Sequence, residues 1–215
     1  GIEYAVDPDG DPSTDDGADV INLSLGGTGN ADDPVSLAVD SATEAGVVVV
    51  AAAGNGGGYL DIGSLSPSSA RSAITVGSVE PDGTISDFSS KGPLLESNYS
   101  KPEIAAPGGG IYSLAIGDNY AYESGTSMAA PHVAGAAALL LQARPLLSPG
   151  QVKSILMSSA QSDSSDTFQR GFGLLNVEAA LSQNIAVEQG PLYFGRINSN
   201  DYQTVSIAFS VVNTS

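Results

Sequence analysis

Residues 125–135 constrain this chain more than any other part of its sequence. They read Gly-Thr-Ser-Met-Ala-Ala-Pro-His-Val-Ala-Gly, and His132 is the only polar side chain between residues 129 and 141. The pattern predicts a helix that is buried on every side. Such a helix would direct its unpaired N–H groups and the positive end of its dipole at Ser127. A serine in that place suits a nucleophile whose attack on a carbonyl group creates an oxyanion.

A simpler interpretation of the same residues is an ordinary helix start. Thr126 or Ser127 would then be the N-cap, and Pro131 would be tolerated in the first turn. These residue types begin helices in many proteins, so the tripeptide Gly-Thr-Ser alone does not decide between a cap and a nucleophile.

Composition excludes several classes of function. The chain has 215 residues, enough for one substantial core, or one core and a piece of another domain. With 24 acidic and 7 basic residues the net charge is −17, which argues against nucleic acid as a partner and favours bound cations or a saline environment. No apolar segment is long enough to suggest a membrane partner. The absence of cysteine excludes disulfides, a cysteine nucleophile and a thiolate metal site.

The order of elements predicts an α/β fold. Three apolar segments rich in valine, isoleucine and alanine read as strands, at residues 20–25, 47–53 and 73–79. A helix from Asp33 to Gly46 lies between the first two strands, which implies a mostly parallel sheet with right-handed crossovers. Further along, the sequence predicts a hairpin, the long apolar helix, a second helix and a short final helix, at residues 111–123, 127–143, 148–156 and 176–181.

The last thirty residues have a different character. Val205, Ile207, Phe209 and Val211 alternate with small polar or alanine residues, which is the period of a β-strand. We therefore expect residues 1–183 to form one domain and residues 184–215 to be the first strands of a truncated, fibronectin III-like β-sandwich. The chain begins with Gly-Ile-Glu-Tyr rather than methionine, so we expect it to be part of a longer polypeptide.

Five segments of the chain follow the order and spacing of one family's motifs, at residues 24–26, 51–56, 88–93, 101–108 and 125–135. Together they resemble the subtilisin-like serine proteases (subtilases, peptidase family S8). The resemblance covers about residues 18–182 and implies the C-terminal part of a three-layer catalytic domain with a partial central sheet. Sedolisin-like proteases share a similar serine segment, but they usually have an aspartate where this chain has Asn55.

The resemblance assigns roles to individual residues. Ser127 would be the nucleophile, and the Asn55 side chain with the Ser127 N–H would hold the oxyanion. A substrate peptide would pair with Ser24, Leu25 and Gly26, while the small residues Ala52, Ala53 and Gly54 would leave room for its side chain. The segments 88–93 and 101–108 would be structural. The implied activity is that of a secreted serine endopeptidase acting on peptide or protein substrates, with no cofactor required for the chemistry.

One part of the family pattern is missing. The family needs an aspartate and a histidine in upstream motifs, and neither motif is present. His132 cannot replace that histidine, because five residues along a helix rotate a side chain by roughly 140° and displace it by about 7.5 Å. We expect His132 to belong to the packed helix. The chain alone should therefore be inactive, and an upstream part of the same polypeptide should complete the site. The alternative is a non-catalytic module that binds peptides.

An acidic loop near the start is a candidate calcium site. Asp7, Asp9 and Asp11 alternate as the ligands of a calcium loop do, and Asp15 or Asp16 is placed to complete the shell. The loop is not an EF-hand, because no glutamate stands twelve positions along. The competing interpretation is a solvated acidic turn without an ion.

Overall fold

The fold is described by a computed structural model that covers residues 1–11, 13–14, 16–58, 61–92, 100–162, 166–187 and 206–214. Its elements in chain order are α1 (Ile2–Val6), β1 (Val20–Leu23), β2 (Gly27–Thr28), α2 (Pro34–Glu44), β3 (Val48–Ala52), β4 (Leu65–Ser66), β5 (Ile74–Val79), β6 (Ile104–Pro107), β7 (Ile111–Ala115), β8 (Asn119–Glu123), α3 (Thr126–Ala143), α4 (Pro149–Ser158), α5 (Thr167–Arg170), α6 (Val177–Ser182), β9 (Ile185–Val187) and β10 (Val211–Asn213).

A four-stranded parallel sheet in the order β1-β3-β5-β6 forms the centre of the fold. All five residues of β3 are buried, as expected for a strand that is covered on both faces. Its alternate side chains enter two different cores. Val48 and Val50 pack with α3 and α4 on one face, and Val49 packs with α2 on the other. The predicted three-layer α/β architecture is thus confirmed.

Local sequence signals explain where two of the helices begin. Asp33 is the N-cap of α2, and its side chain accepts hydrogen bonds from the N–H groups of Val35 and Ser36. Helix α4 begins with a capping box in which Ser148 and Gln151 bond reciprocally to each other's backbone N–H. No helix among the described residues is both long and apolar enough to cross a membrane.

Helix α3 differs from the expectation in one respect. Its residues Ala129, Val133, Ala136 and Leu140 are buried against the sheet, but the opposite side is exposed. That exposed side carries Pro131, His132, Gly135, Ala138 and Leu139. The predictions that the helix is buried all round and that His132 is packed are therefore wrong. The reason is physical: among the described residues, its main contacts are with the sheet, α4 and α6, all on one side.

The predicted hairpin is confirmed as the pair β7–β8, which turns at residues 116–118. Tyr112 lies opposite Tyr122 and Leu114 lies opposite Tyr120, so these four side chains share one face of the hairpin. All four are exposed, and the rings of Tyr112 and Tyr122 are 4.7 Å apart. The other face carries Ala121, which lies between the two tyrosines of β8.

The end of the chain is attached to the main unit. Strand β9 pairs with β10, and Ala186 of β9 is buried in the core that contains α4. The N–H of Val187 also donates to the Ser154 hydroxyl. Residues 206–210 are not a strand, contrary to the predicted alternation, and 204 and 205 lie outside the described residues. That residues 184–215 begin a separate β-sandwich stays a prediction.

Three buried ionisable side chains connect α4 to the sheet. Glu103 accepts hydrogen bonds through Oε1 from Nζ of Lys101 at 2.8 Å and from Nζ of Lys153 at 2.7 Å. Its Oε2 accepts from the N–H of Thr75, and both lysines donate to the carbonyl of Ala73. Lys101 is completely buried and Glu103 is 2% exposed. Each charge is thus paired and hydrogen-bonded, which is what burial of charges requires.

Burial and pairing act in opposite directions on these groups. Burial lowers the pKa of Lys101 from 10.5 to about 8, although the Glu103 carboxylate opposes this shift. The pKa of Glu103 stays below its ordinary value, because burial would raise it but the two ammonium groups outweigh that effect. Glu103 is therefore the anion on which both lysines depend.

We predict that Glu103→Gln lowers the free energy of unfolding by about 3–5 kcal/mol, because two buried ammonium groups lose the carboxylate that both of them contact. Lys101→Met should cost less, since Glu103 keeps Lys153 and the Ala73 carbonyl keeps one donor. Urea denaturation of the chain at pH 7 measures both losses. An equal loss in the two variants would contradict this account of the cluster.

The depressed pKa of Lys101 also predicts how stability changes with pH. Between about pH 8 and 10.5 the unfolded chain keeps a proton that the folded chain has released. The contribution of Lys101 to the free energy of unfolding therefore rises with pH, by up to about 1.4 kcal/mol per pH unit. Because Lys101→Met lacks this contribution, the free energy of unfolding of the parent minus that of the variant should increase from pH 8 to 10. A decrease would show that folding raises the pKa of Lys101 instead of lowering it.

Candidate active site

Ser127 lies at the start of α3 but does not cap it. The helix begins at Thr126 after Gly125, and no side chain forms the cap hydrogen bond, so the interpretation as an ordinary N-cap is wrong. Ser127 is instead the second helical residue, half-buried, and its hydroxyl donates to the carbonyl of Ser24 at 3.3 Å. Its own N–H is one of the first four amide groups of the helix, which have no acceptor inside the helix.

Asn55 follows the end of β3 and faces the start of α3. Its Oδ1 accepts hydrogen bonds from the N–H and from the hydroxyl of Thr126, both at 2.9 Å. The Thr126 hydroxyl also accepts from the N–H of Gly54. Because two donors hold Oδ1, the amide cannot exchange its two ends, and Nδ2 remains available as a donor. No described residue accepts a hydrogen bond from that Nδ2.

A cavity of about 370 Å³, which we call the first groove, opens between β3 and the segment after β1. Asn55 and Ser127 both line this groove, together with the predicted substrate-binding residues Leu25, Gly26, Ala52 and Gly54. None of the described residues that line it carries a charged side chain. The first groove therefore suits an uncharged, extended peptide beside the hydroxyl of Ser127.

Two of the predicted substrate-binding residues lie outside the lining of the first groove. Ala53 is completely buried and packs with Ile62. Ser24 supports the site from behind: its hydroxyl donates to the carbonyl of Ser127 at 2.7 Å and accepts from Nδ2 of Asn22. These bonds join the end of β1 to the start of α3.

Six residues that line the first groove were not among the predicted site residues: Gly27, Gly56, Leu65, Ser66, Ser68 and Thr126. Thr126 orients Asn55 across a separation of 71 residues, and only its position beside Ser127 hinted at a role. Leu65 lines the groove because β4 pairs with β2, and no local pattern announces that pairing. Its side chain packs over Gly54, where φ is +105° and a side chain would collide with it.

The described residues contain no base for Ser127. His132 is exposed, and its Nδ1 lies 2.8 Å from the carbonyl of Met128 on the same helix. Apart from its bond to Ser24, the Ser127 hydroxyl has no hydrogen-bond partner in this part of the chain. The geometric argument that His132 cannot serve as the base is consistent with this arrangement. The Ser127 hydroxyl and the Asn55 amide thus lie at one groove, and no side chain of the described residues is placed to accept a proton from that hydroxyl.

A second cavity of about 830 Å³, the second groove, lies on the other side of Ser127. Helix α3 contributes Ser127, Met128, Pro131 and His132 to its lining, and the hairpin β7–β8 forms the opposite wall. Ser127 therefore lies between the two grooves and borders both of them.

Carboxylates from the acidic loop converge in part. Ligand oxygens of Asp7, Asp9 and Asp16 all lie within 4.8 Å of one another. Asp11 is not in this group. Its carboxylate accepts two hydrogen bonds from Ser13, which lower its pKa. Asp15 lies outside the described residues.

Comparison with known proteins decides the family. The sequence profile of the subtilase family of peptidases (Peptidase S8) matches residues 1–174. The chain belongs to the subtilase family. The resemblance rested on the segment around Ser127, on residues 24–26 after β1 and on the turn at Asn55. All three are thus parts of a subtilase domain.

Curated relatives and solved structures agree with this assignment. Subtilisin DY of Bacillus licheniformis is 44% identical over 181 residues, which are 84% of this chain and 60% of that protein. Subtilisin E of Bacillus subtilis is 40% identical over 84% of this chain and 43% of that protein. A protease structure from Pseudoalteromonas arctica has a TM-score of 0.73 at 35% identity, covering 85% of this chain and 56% of the other. The subtilase chain thus spans about half of each relative.

Proposed function

We propose that this chain is part of a serine endopeptidase and carries its nucleophile and its oxyanion hole. One observation supports this most strongly. Ser127 and the Nδ2 end of Asn55 border the same groove, and Thr126 fixes which end of the amide points there. Family membership and the subtilisin relatives support the same conclusion.

The proposed reaction uses the groove residues in a fixed order. The acyl side of a substrate lies along Leu25 and Gly26, with a side chain directed between Ala52 and Gly54. The Ser127 hydroxyl attacks the carbonyl carbon and gives its proton to a base, while Asn55 Nδ2 and the Ser127 N–H stabilise the oxyanion. The leaving amine receives the proton, and water then releases the acyl group from Ser127.

The base is proposed to come from an upstream part of the same polypeptide. In the family an upstream histidine accepts the proton and an aspartate orients it. Two features of the structure support a place for that part. The helix α3 is uncovered on the side that carries His132 and Leu139, and β1 is an edge strand whose end touches Ser127 through Ser24.

A non-catalytic peptide-binding module remains the second candidate, because the described residues contain the groove without a base. In that case the complete polypeptide would bind peptides in the first groove and leave them intact. A sedolisin-like protease is not favoured, since the relatives are subtilisins and Asn55 stands where those enzymes usually have an aspartate.

Labelling of Ser127 tests the proposal. The 215-residue chain alone should not react with a fluorophosphonate probe or hydrolyse peptide amides, because nothing removes the hydroxyl proton. The polypeptide that includes the upstream part should be labelled stoichiometrically at Ser127, as measured by mass spectrometry, and should turn over substrate.

Two variants of the longer polypeptide serve as controls. Ser127→Ala should abolish both labelling and turnover, and Asn55→Leu should lower kcat much more than it changes KM, because its amide acts on the transition state. A longer polypeptide that binds peptide but is never labelled would favour the binding module. Labelling of the isolated chain would show that the base lies within it.

We further propose a structural calcium ion in the acidic loop, with no role in the chemistry. The convergence of Asp7, Asp9 and Asp16 supports it, and oxygen ligands on a flexible loop suit calcium. Asp16 is one of the two residues that the sequence offered to complete the shell, and the other, Asp15, lies outside the described residues. Asp11 lies outside the converging group and would contribute least among the described carboxylates of the loop. We also propose, from the subtilisin relatives, that the protein acts outside the cell.

Millimolar calcium should raise the Tm of the chain by binding the folded state, and Asp9→Asn should remove most of that rise. Asp11→Asn is the matched control, because it removes the same charge from the same loop outside the group and should keep most of the rise. Magnesium should have less effect than calcium. Sodium chloride at equal ionic strength must be compared, since screening of a −17 charge also stabilises. An equal rise with sodium chloride would indicate a solvated turn.

A further inference from the structure

We propose that Glu123 selects substrates with a lysine or arginine directly after the scissile bond. The inference rests on the proposed function and names a substrate class for it. Three observations support it: the place of the leaving group, the position of Glu123, and the charges that line the second groove.

The leaving group of a substrate lies in the second groove. Ser127 borders both grooves, and Asn55, which holds the oxyanion, borders only the first. A peptide whose acyl side fills the first groove therefore crosses Ser127 at the scissile bond. The residue that follows the bond then enters the space between α3 and the hairpin β7–β8.

Glu123 belongs to the wall of the second groove. It is the last residue of β8 and pairs with Ile111, so its side chain is on the face of the hairpin that also carries Ala121. Both neighbours line the second groove with Glu123, and Ala121 and Ile111 are partly buried while Tyr112 and Tyr122 are exposed. Tyr112 and Leu114 of the opposite face also line this groove, so Glu123 is placed there by its own position in the lining and not by the alternation along β8.

The carboxylate of Glu123 is exposed and has no ionic partner among the described residues. Among the described side chains that line this groove, Glu123 is the only acidic one, and none is a lysine or an arginine. An unpaired anion at the rim of a binding groove attracts a cation and repels another anion. A basic residue in the leaving group would therefore be favoured over an acidic one.

The remaining cations of the described chain do not compete for Glu123. Lys101, Lys153 and Arg170 are buried, Arg71 is paired with Asp32, and Arg144 donates to the carbonyls of Ala180 and Gln183. Lys91, the other described cation, forms no ion pair with Glu123. The large negative charge of the whole chain adds a general attraction for cationic peptides. A test must therefore separate the local contribution of Glu123 from this general field.

Hydrolysis by the longer polypeptide provides the first measurement. Two fluorogenic peptides would share one acyl side and differ only in lysine or glutamine after the scissile bond. At pH 8 and low ionic strength the lysine peptide should have a kcat/KM about three- to fivefold higher, the size expected for one exposed ion pair. In 0.5 M sodium chloride the ratio of the two kcat/KM values, lysine peptide over glutamine peptide, should approach one.

Two variants separate the local from the general effect. Glu123→Gln should bring the ratio of the two peptides close to one. Asp118→Asn removes the same charge from the turn of the same hairpin, and asparagine also tolerates the positive φ of that position. The Asp118→Asn variant should keep the ratio. A ratio near one in the parent, or equal losses in the two variants, would overturn the inference while leaving the proposed protease intact.

Binding to the 215-residue chain provides a measurement that needs no catalysis. Lysinamide and norleucinamide differ only by the terminal amine, and both can be titrated into the isotope-labelled chain while NMR follows the backbone amides of Glu123 and Ser127. Lysinamide should bind several-fold more tightly, and Glu123→Gln should remove the difference. If the longer polypeptide hydrolyses nothing, the proposed function fails. The titration then decides by itself whether Glu123 favours a cationic ligand. Equal binding of the two amides would overturn the selectivity of Glu123.

Discussion

The hydrogen bonds between Thr126 and Asn55 are the constraint on which the rest of the site depends. They join the turn after a buried parallel strand to the first residue of α3, two places that are 71 residues apart in sequence. Both elements pack into the same core, so the two proposed oxyanion donors are set by packing and would need little adjustment during reaction. The small residues around them leave the first groove open at that junction.

The opposite end of the same sheet shows how that rigidity is maintained. Glu103 lies just before β6, and through Lys101 and Lys153 it connects that strand to α4. Buried charges stabilise little by themselves, yet they cost much when one partner is removed. The cluster therefore fixes the register between α4 and the strands, while apolar contacts of α3 with the sheet supply most of the burial.

Sequence alone predicted the parts of the fold that follow from local patterns. The valine-rich strands, the Asp33 and Ser148 caps and the β7–β8 hairpin are each encoded within a few residues. Ser127 and Asn55 came from the family resemblance, and a turn at Asn55 would otherwise have meant little. Thr126 and Leu65 could not be predicted, because their roles depend on contacts between segments that only the folded chain brings together.

The error about α3 concerns the side of the helix that faces away from the sheet. An all-apolar helix predicts cover on every side, and the described chain covers only the side that faces the sheet. The uncovered side begins about one turn after Ser127 and continues past His132 to Leu139. A base for Ser127 has to approach from a direction that the first groove, the sheet and the hairpin leave open, and this side of α3 is such a direction. We therefore expect the proposed upstream part to pack there.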